Sequence, residues 1–164
     1  MSHAIHSYPQ EMTKEVLCQA LSMWRSFPRP IQRRGRRPCV QPEAAEARST
    51  TLRGFHLAVY DEPLFTDSIE AWTHGPVVPN VYHHYRQFGS GSIPAPIDFN
   101  LEAFSPEQVE LLNEVQQIYG QYSAWRLREM THEEAPWRNN YQAGAMSREI
   151  PADDMRQFFK TLVK

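Results

Sequence analysis

The chain has 164 residues, of which 41% are hydrophobic and 22% charged, and its formal net charge is −2. That length sustains one domain with its own core, and the near-neutral balance excludes a strong overall field for nucleic acid or membrane. No apolar run approaches the roughly 20 residues that span a bilayer, MSHAIHSYPQEMTKE has no apolar stretch of the secretory kind, and Cys18 and Cys39 read as free thiols of a reducing cytosol, so the expectation is a soluble cytoplasmic protein without a membrane partner.

Taken in chain order, Glu11 to Trp24 has helical spacing at Leu17, Leu21 and Trp24. Pro28, Pro30, Pro38 and Pro42 then each remove a backbone donor and restrict the residue before them, so no packed helix is expected from Phe27 to Pro42. Charge is concentrated here: eight Arg against two Glu lie between Arg25 and Arg53, a local net of +6 that leaves −8 for the rest. Pro42 suits the first position of a helix running through Glu43–Ala47 and on to Tyr60, whose apolar face improves only after Gly54. Asp61-Glu62-Pro63 reads as a turn. Leu64-Phe65 and Ile69–Trp72 read as two short strands of a hairpin around Thr66-Asp67-Ser68, and His74–Pro79 as a rigid turn. Pro79 opens a helix to Phe88 with Val81, Tyr82, Tyr85 and Phe88 on one face, closed by Gly89. Gly89 to Asn100 is a loop by composition. Ser105-Pro106-Glu107-Gln108 is a helix start with a capping box, leading to about Tyr119 with Val109, Leu112, Val115 and Tyr119 inward. Ser123 caps a helix carrying Trp125, Leu127 and Met130. Thr131-His132-Glu133-Glu134 repeats the capping pattern ahead of Pro136-Trp137. A last helix begins near Pro151, with Asp153 and Asp154 at its positive end and Met155, Phe158, Phe159 and Leu162 as its buried stripe. The expected fold is mainly α (α+β): a compact bundle of five or six short helices with one small β-hairpin.

No catalytic constellation emerges. His83 and His84 are adjacent and point about 100° apart on a helix, so one metal does not take both; one is expected exposed and the other partly packed. His132-Glu133 lacks the second histidine of H-E-x-x-H, since Pro136 stands there, and Glu133 and Glu134 are read as first-turn acids after a Thr cap. G-x-S-x-G, Walker A and G-x-G-x-x-G sequences are all missing. Neither a metal nor another cofactor is expected, and a small metal-dependent enzyme using His83, His84 or His132 is the weakest reading. Tyr and Trp are concentrated in the last two thirds, where they supply core mass and interface anchors. Tyr82 and Trp137, each beside a rigid Pro turn, are the better candidates for a partner surface.

One long segment, GFHLAVYDEPLFTDSIEAWTHGPVVPNVYHHYRQFG, resembles the Panacea antitoxin domain of SocA-like and GepA-type proteins of bacterial chromosomes and prophages. The matching positions are Gly54–Ala58, Glu62–Phe65, Ile69–Trp72, Gly75–Pro79 and Val81-Tyr82. Further along they are Tyr119-Gly120, Ser123–Trp125, Leu127, Thr131–Glu133, Pro136-Trp137 and Ile150-Pro151. The resemblance spans about Gly54 to Leu162. It implies a non-enzymatic antitoxin of a toxin–antitoxin system that neutralises a nearby-encoded toxin by direct binding, with delivery of the toxin to a protease as a further route. It brings no catalytic residues. The motif positions it marks as candidates for toxin binding are Trp72, Gly75, Pro76, Val77, Pro79, Tyr82, Trp125, His132, Pro136 and Trp137. The alternative is a nucleic-acid-binding transcriptional regulator using the Arg33–Arg37 cluster, which lacks interleaved aromatics.

Upstream the chain departs from that family. The pattern there carries Ala-Ile-Asp-Val-Ala and later Asn-Leu-Lys-Leu-Gln-Lys-Leu-Leu-Tyr-Tyr-Ala-Gln-Gly, and neither is present. Codons that encode Gln41–Ala47, read one base on, give Asn-Leu-Lys-Leu-Gln-Lys. From the third base of Ser49 onward, codons for Thr50–Gly54 give Tyr-Tyr-Ala-Gln-Gly, and those for Ala20–Ser26 give Ala-Ile-Asp-Val-Ala in the same way. The three do not share one offset. Residues 1–53 are therefore read as an atypical basic, Pro-rich segment with an out-of-frame part from about Leu21 to Arg53, and residues 54–164 as the Panacea-like domain.

Overall fold

A computed structural model describes residues 42–89, 91, 93, 102 and 104–164, with the side chains of residues 42 and 43 left aside. The expected helix at Glu11–Trp24, both cysteines, the Arg33–Arg37 cluster and most of the Gly89–Asn100 loop lie outside those residues.

Helix α1 (Pro42–Tyr60) runs through the middle of the molecule. Around it stand α2 (Pro79–Tyr85, continued by a 3-10 turn at Arg86–Phe88), α3 (Pro106–Tyr119), α4 (Ala124–Glu133), α5 (Ala135–Asn140) and α6 (Ala152–Lys160). Strands β1 (Glu70–Trp72), β2 (Gly75–Val77) and β3 (Arg148–Glu149) form one antiparallel sheet in the order β2-β1-β3. Helix α1 packs on α6, α4, α3, α2 and β2. The core collects Leu52 and Leu57 of α1, Leu64, Phe65, Ile69, Val78, Val81, Leu112, Val115, Leu127, Met155 and Phe159. The fold is thus mainly α with a small β element, as the sequence led us to expect.

Local chemistry sets the helix boundaries. Ser105 caps α3 through a complete capping box: its Oγ accepts from Gln108 N at 3.2 Å, and Gln108 Oε1 accepts from Ser105 N at 3.0 Å. Ser123 Oγ accepts from Arg126 N at 3.1 Å and starts α4. At α6, Asp153 and Asp154 occupy the first turn and Lys160 the last, in the sense the helix dipole favours. Gly54 matters most to packing: a Cβ there would lie 2.2 Å from the Phe159 ring, so only glycine lets α1 and α6 come this close.

Several expectations are corrected. The hairpin joins β1 to β2 through Thr73-His74, with Trp72 opposite Gly75, rather than joining Leu64-Phe65 to Ile69–Trp72. Leu64 and Phe65 are both buried, so they plug the core instead of alternating as a strand would. Gly-Pro reads as a turn, yet Gly75 takes the positive φ of 123° at the bend and Pro76 sits on an edge strand, where a missing N–H is tolerated. Thr131 caps nothing: it lies inside α4, and its Oγ1 donates back to Arg128 O at 2.8 Å. Helix α5 instead starts from Glu134 without a side-chain cap, so Glu133 and Glu134 are not first-turn acids. Both His83 and His84 are exposed, and Leu162 is 43% exposed beyond the end of α6.

Candidate functional site

The β1–β2 hairpin lies against α4 and α5, and this junction gathers most of the marked positions. Trp72 ends β1 half-buried. Its Nε1 donates to Glu70 Oε2 at 2.8 Å, and its carbonyl accepts from Trp137 Nε1 at 2.8 Å. The Tyr82 ring meets Trp72 edge-on at 5.0 Å. Trp137 lies between His132, at 4.2 Å, and Tyr141, stacked at 4.5 Å with 12° between the planes. Spacing produces this arrangement, since Trp137 and Tyr141 are four residues apart and so share a face. Gly75 closes the cluster: a Cβ would stand 3.2 Å from Thr131 Oγ1 and 3.7 Å from His132 Nε2. Pro76 and Val77 are buried, Pro79 occupies the first turn of α2, and Pro136 is buried with its carbonyl accepting from Asn140 Nδ2 at 2.9 Å.

Trp125 behaves differently. It is 64% exposed, far more than the other tryptophans of this face. The Arg128 guanidinium lies over its ring at 5.3 Å and also donates to His74 Nδ1 at 2.9 Å. This link ties Trp125 to the hairpin tip. Beside the tip an open depression of about 340 Å³ is lined by Trp72, His74, Tyr141, Gly144 and Ser147 among others. The three positions that complete this face, His74, Arg128 and Tyr141, were not singled out as site residues in the sequence. Trp125-x-x-Arg128 and Trp137-x-x-x-Tyr141 are helical spacings that place each pair on one face, and they were the available signal.

The electrostatics are mild. Burial, then Arg128 and His74, push the His132 imidazole down from its ordinary range, with the His74 carbonyl opposing. Burial pushes the Glu134 carboxyl up to about 7. Tyr119 is raised by burial and by Glu134. Among the described residues no three His, Cys, Asp or Glu side chains converge on a position that could hold a metal. No helix among them is long and apolar enough to cross a membrane.

The family described as Antitoxin SocA-like, Panacea domain matches residues 52–138, more than half of the chain. The chain belongs to that family. The match contains the hairpin, Trp72, Tyr82, Trp125, His132 and Trp137, while Tyr141, β3 and α6 lie beyond it. No curated protein and no solved structure matches the chain. A Panacea domain is antitoxin-like, and a family of that kind implies a toxin partner in general terms.

Proposed function

We propose that this chain is a non-enzymatic antitoxin that neutralises a toxin encoded beside it by direct protein binding. The family match carries the reading. The hairpin–α4–α5 face supports it, because half-buried aromatics with one exposed Trp and an anchored Arg are the side chains that dominate protein interfaces. Handing the toxin to a protease is a further step open to such a protein. Co-expression with the adjacent small reading frame tests the proposal: growth rescue together with co-purification of the two products is expected. Toxicity unrelieved by this chain, with no complex recovered, contradicts it.

A nucleic-acid regulator is the weaker reading. Residues 54–164 hold eight Lys or Arg against fifteen Asp or Glu, a net of −7, which repels a phosphate backbone. The Arg33–Arg37 cluster belongs to the segment whose reading frame is in question.

The same proposal places the antitoxin domain at residues 54–164 and treats residues 1–53 as atypical, out of frame from about Leu21 to Arg53. Its support is the composition break at Gly54-Phe55 and the polar side chains that α1 buries before that point. Sequencing the locus decides it. A frameshifting insertion or deletion on each side of the segment is expected, whereas an intact frame with unrelated codons overturns it.

A further inference from the structure

On the face just described, Arg128 is held in place without a carboxylate partner. Arg126 pairs with Glu129, while Arg156 and Lys160 pair with Asp61, and Arg156 also with Asp153. Among the described residues Arg128 forms no ion pair within 4 Å, although it is half-buried and held from two sides. Its contact with His74 fixes a tautomer. A guanidinium only donates, so His74 Nδ1 is the acceptor and the neutral ring carries its proton on Nε2. The guanidinium fork keeps further N–H donors for a ligand, and it is already ordered by Trp125 and His74, which removes much of the side-chain entropy that binding would otherwise cost. Next to this donor group lies the 340 Å³ depression walled by Trp72 and Tyr141.

We propose that the toxin docks on this face by setting a carboxylate on the Arg128 guanidinium and an adjacent side chain in the depression between Trp72 and Tyr141. The inference rests on the antitoxin reading and deepens it. Charge complementarity selects the occupant. A planar carboxylate matches the guanidinium fork with two parallel hydrogen bonds. The net −7 of residues 54–164 favours a partner surface that is basic around that single acid, so the carboxylate sets register and specificity while the long-range field speeds encounter.

The test uses the full chain and the toxin encoded beside it, with affinity measured by titration calorimetry and neutralisation by growth rescue. Arg128→Glu and Trp125→Ala are each expected to weaken binding by about 30-fold or more, as hot-spot residues do. Gln157→Ala, exposed on α6, is expected to leave binding unchanged. Trp125 is exposed, so its variant keeps the test valid if Arg128→Glu folds poorly. In a set of toxin variants with each Asp or Glu changed in turn to Lys, one is expected to recover binding to Arg128→Glu. If the unaltered chain neutralises the toxin and both variants bind as tightly as it does, the docking face is wrong and the antitoxin reading stands. If the unaltered chain does not bind the toxin at all, the antitoxin reading itself fails.

Discussion

Helix α1 is one continuous element made of two chemically different halves. From Gly54 onward it presents Phe55, Leu57 and Ala58 to its neighbours, with Phe55 5.0 Å from the Phe159 ring. From Ala44 to Arg53 it is more enclosed than that, with every residue buried, yet these include Glu46, Arg48, Ser49, Thr50, Thr51 and Arg53. A helix covered on every side is ordinarily apolar all round. The first half meets its polar groups locally: Ser49, Thr50 and Thr51 hydroxyls donate back to the carbonyls of Ala45, Glu46 and Ala47, a bond that slightly weakens a helix. Arg53 donates to the Asp67 carbonyl and covers Phe65, and burial lowers its pKa despite Glu149 and Asp67 nearby. The contrast teaches that one continuous helix can be buried in two ways, its second half through apolar packing and its first half with hydroxyls that bond back to the helix's own carbonyls.

The predictions that sharpen or break this contrast run from large to small. Phe159→Ala removes the ring against which Gly54 is fitted and is expected to cost about 3–5 kcal/mol, measured by urea unfolding; a loss below 1 kcal/mol would mean the second half is no better packed than the first. Glu134 comes next. Its folded pKa of about 7 lies above the ordinary carboxylate value, so the folded state holds a proton that the unfolded state gives up. Stability is therefore full at low pH, falls as pH rises from about 4.5 to 7, and settles near 3 kcal/mol lower above that range. Glu134→Gln is expected to flatten that slope and raise the melting temperature at pH 8. A slope that persists in the variant assigns the effect to another group.

Ser105→Ala, which opens the capping box of α3, is expected to cost about 1 kcal/mol.

Much of the fold could be read from the chain where local signals are strong. Ser105-Pro106-x-Gln108 named the start of α3, Ser123 that of α4, and the Asp153-Asp154 pair that of α6, because caps and dipole partners act within one turn. The hairpin was misplaced because Gly75-Pro76 carries turn chemistry in a strand position, and β3 was missed because two residues leave no periodicity to detect. Thr131 was misread because a capping pattern also arises inside a helix, where its hydroxyl turns back on Arg128. The site was legible in part. Trp72, Tyr82, His132 and Trp137 were marked and are brought together, whereas His74 and Arg128 are 54 residues apart and meet only through the packing of the hairpin on α4.

Hydrogen exchange on the chain, alone and with the toxin proposed as its partner, compares the two regions in a single experiment. The account predicts slowed exchange in residues 72–77 and 124–147, with α1 unchanged. Protection confined to α1 and α6, or none in any region, would contradict it.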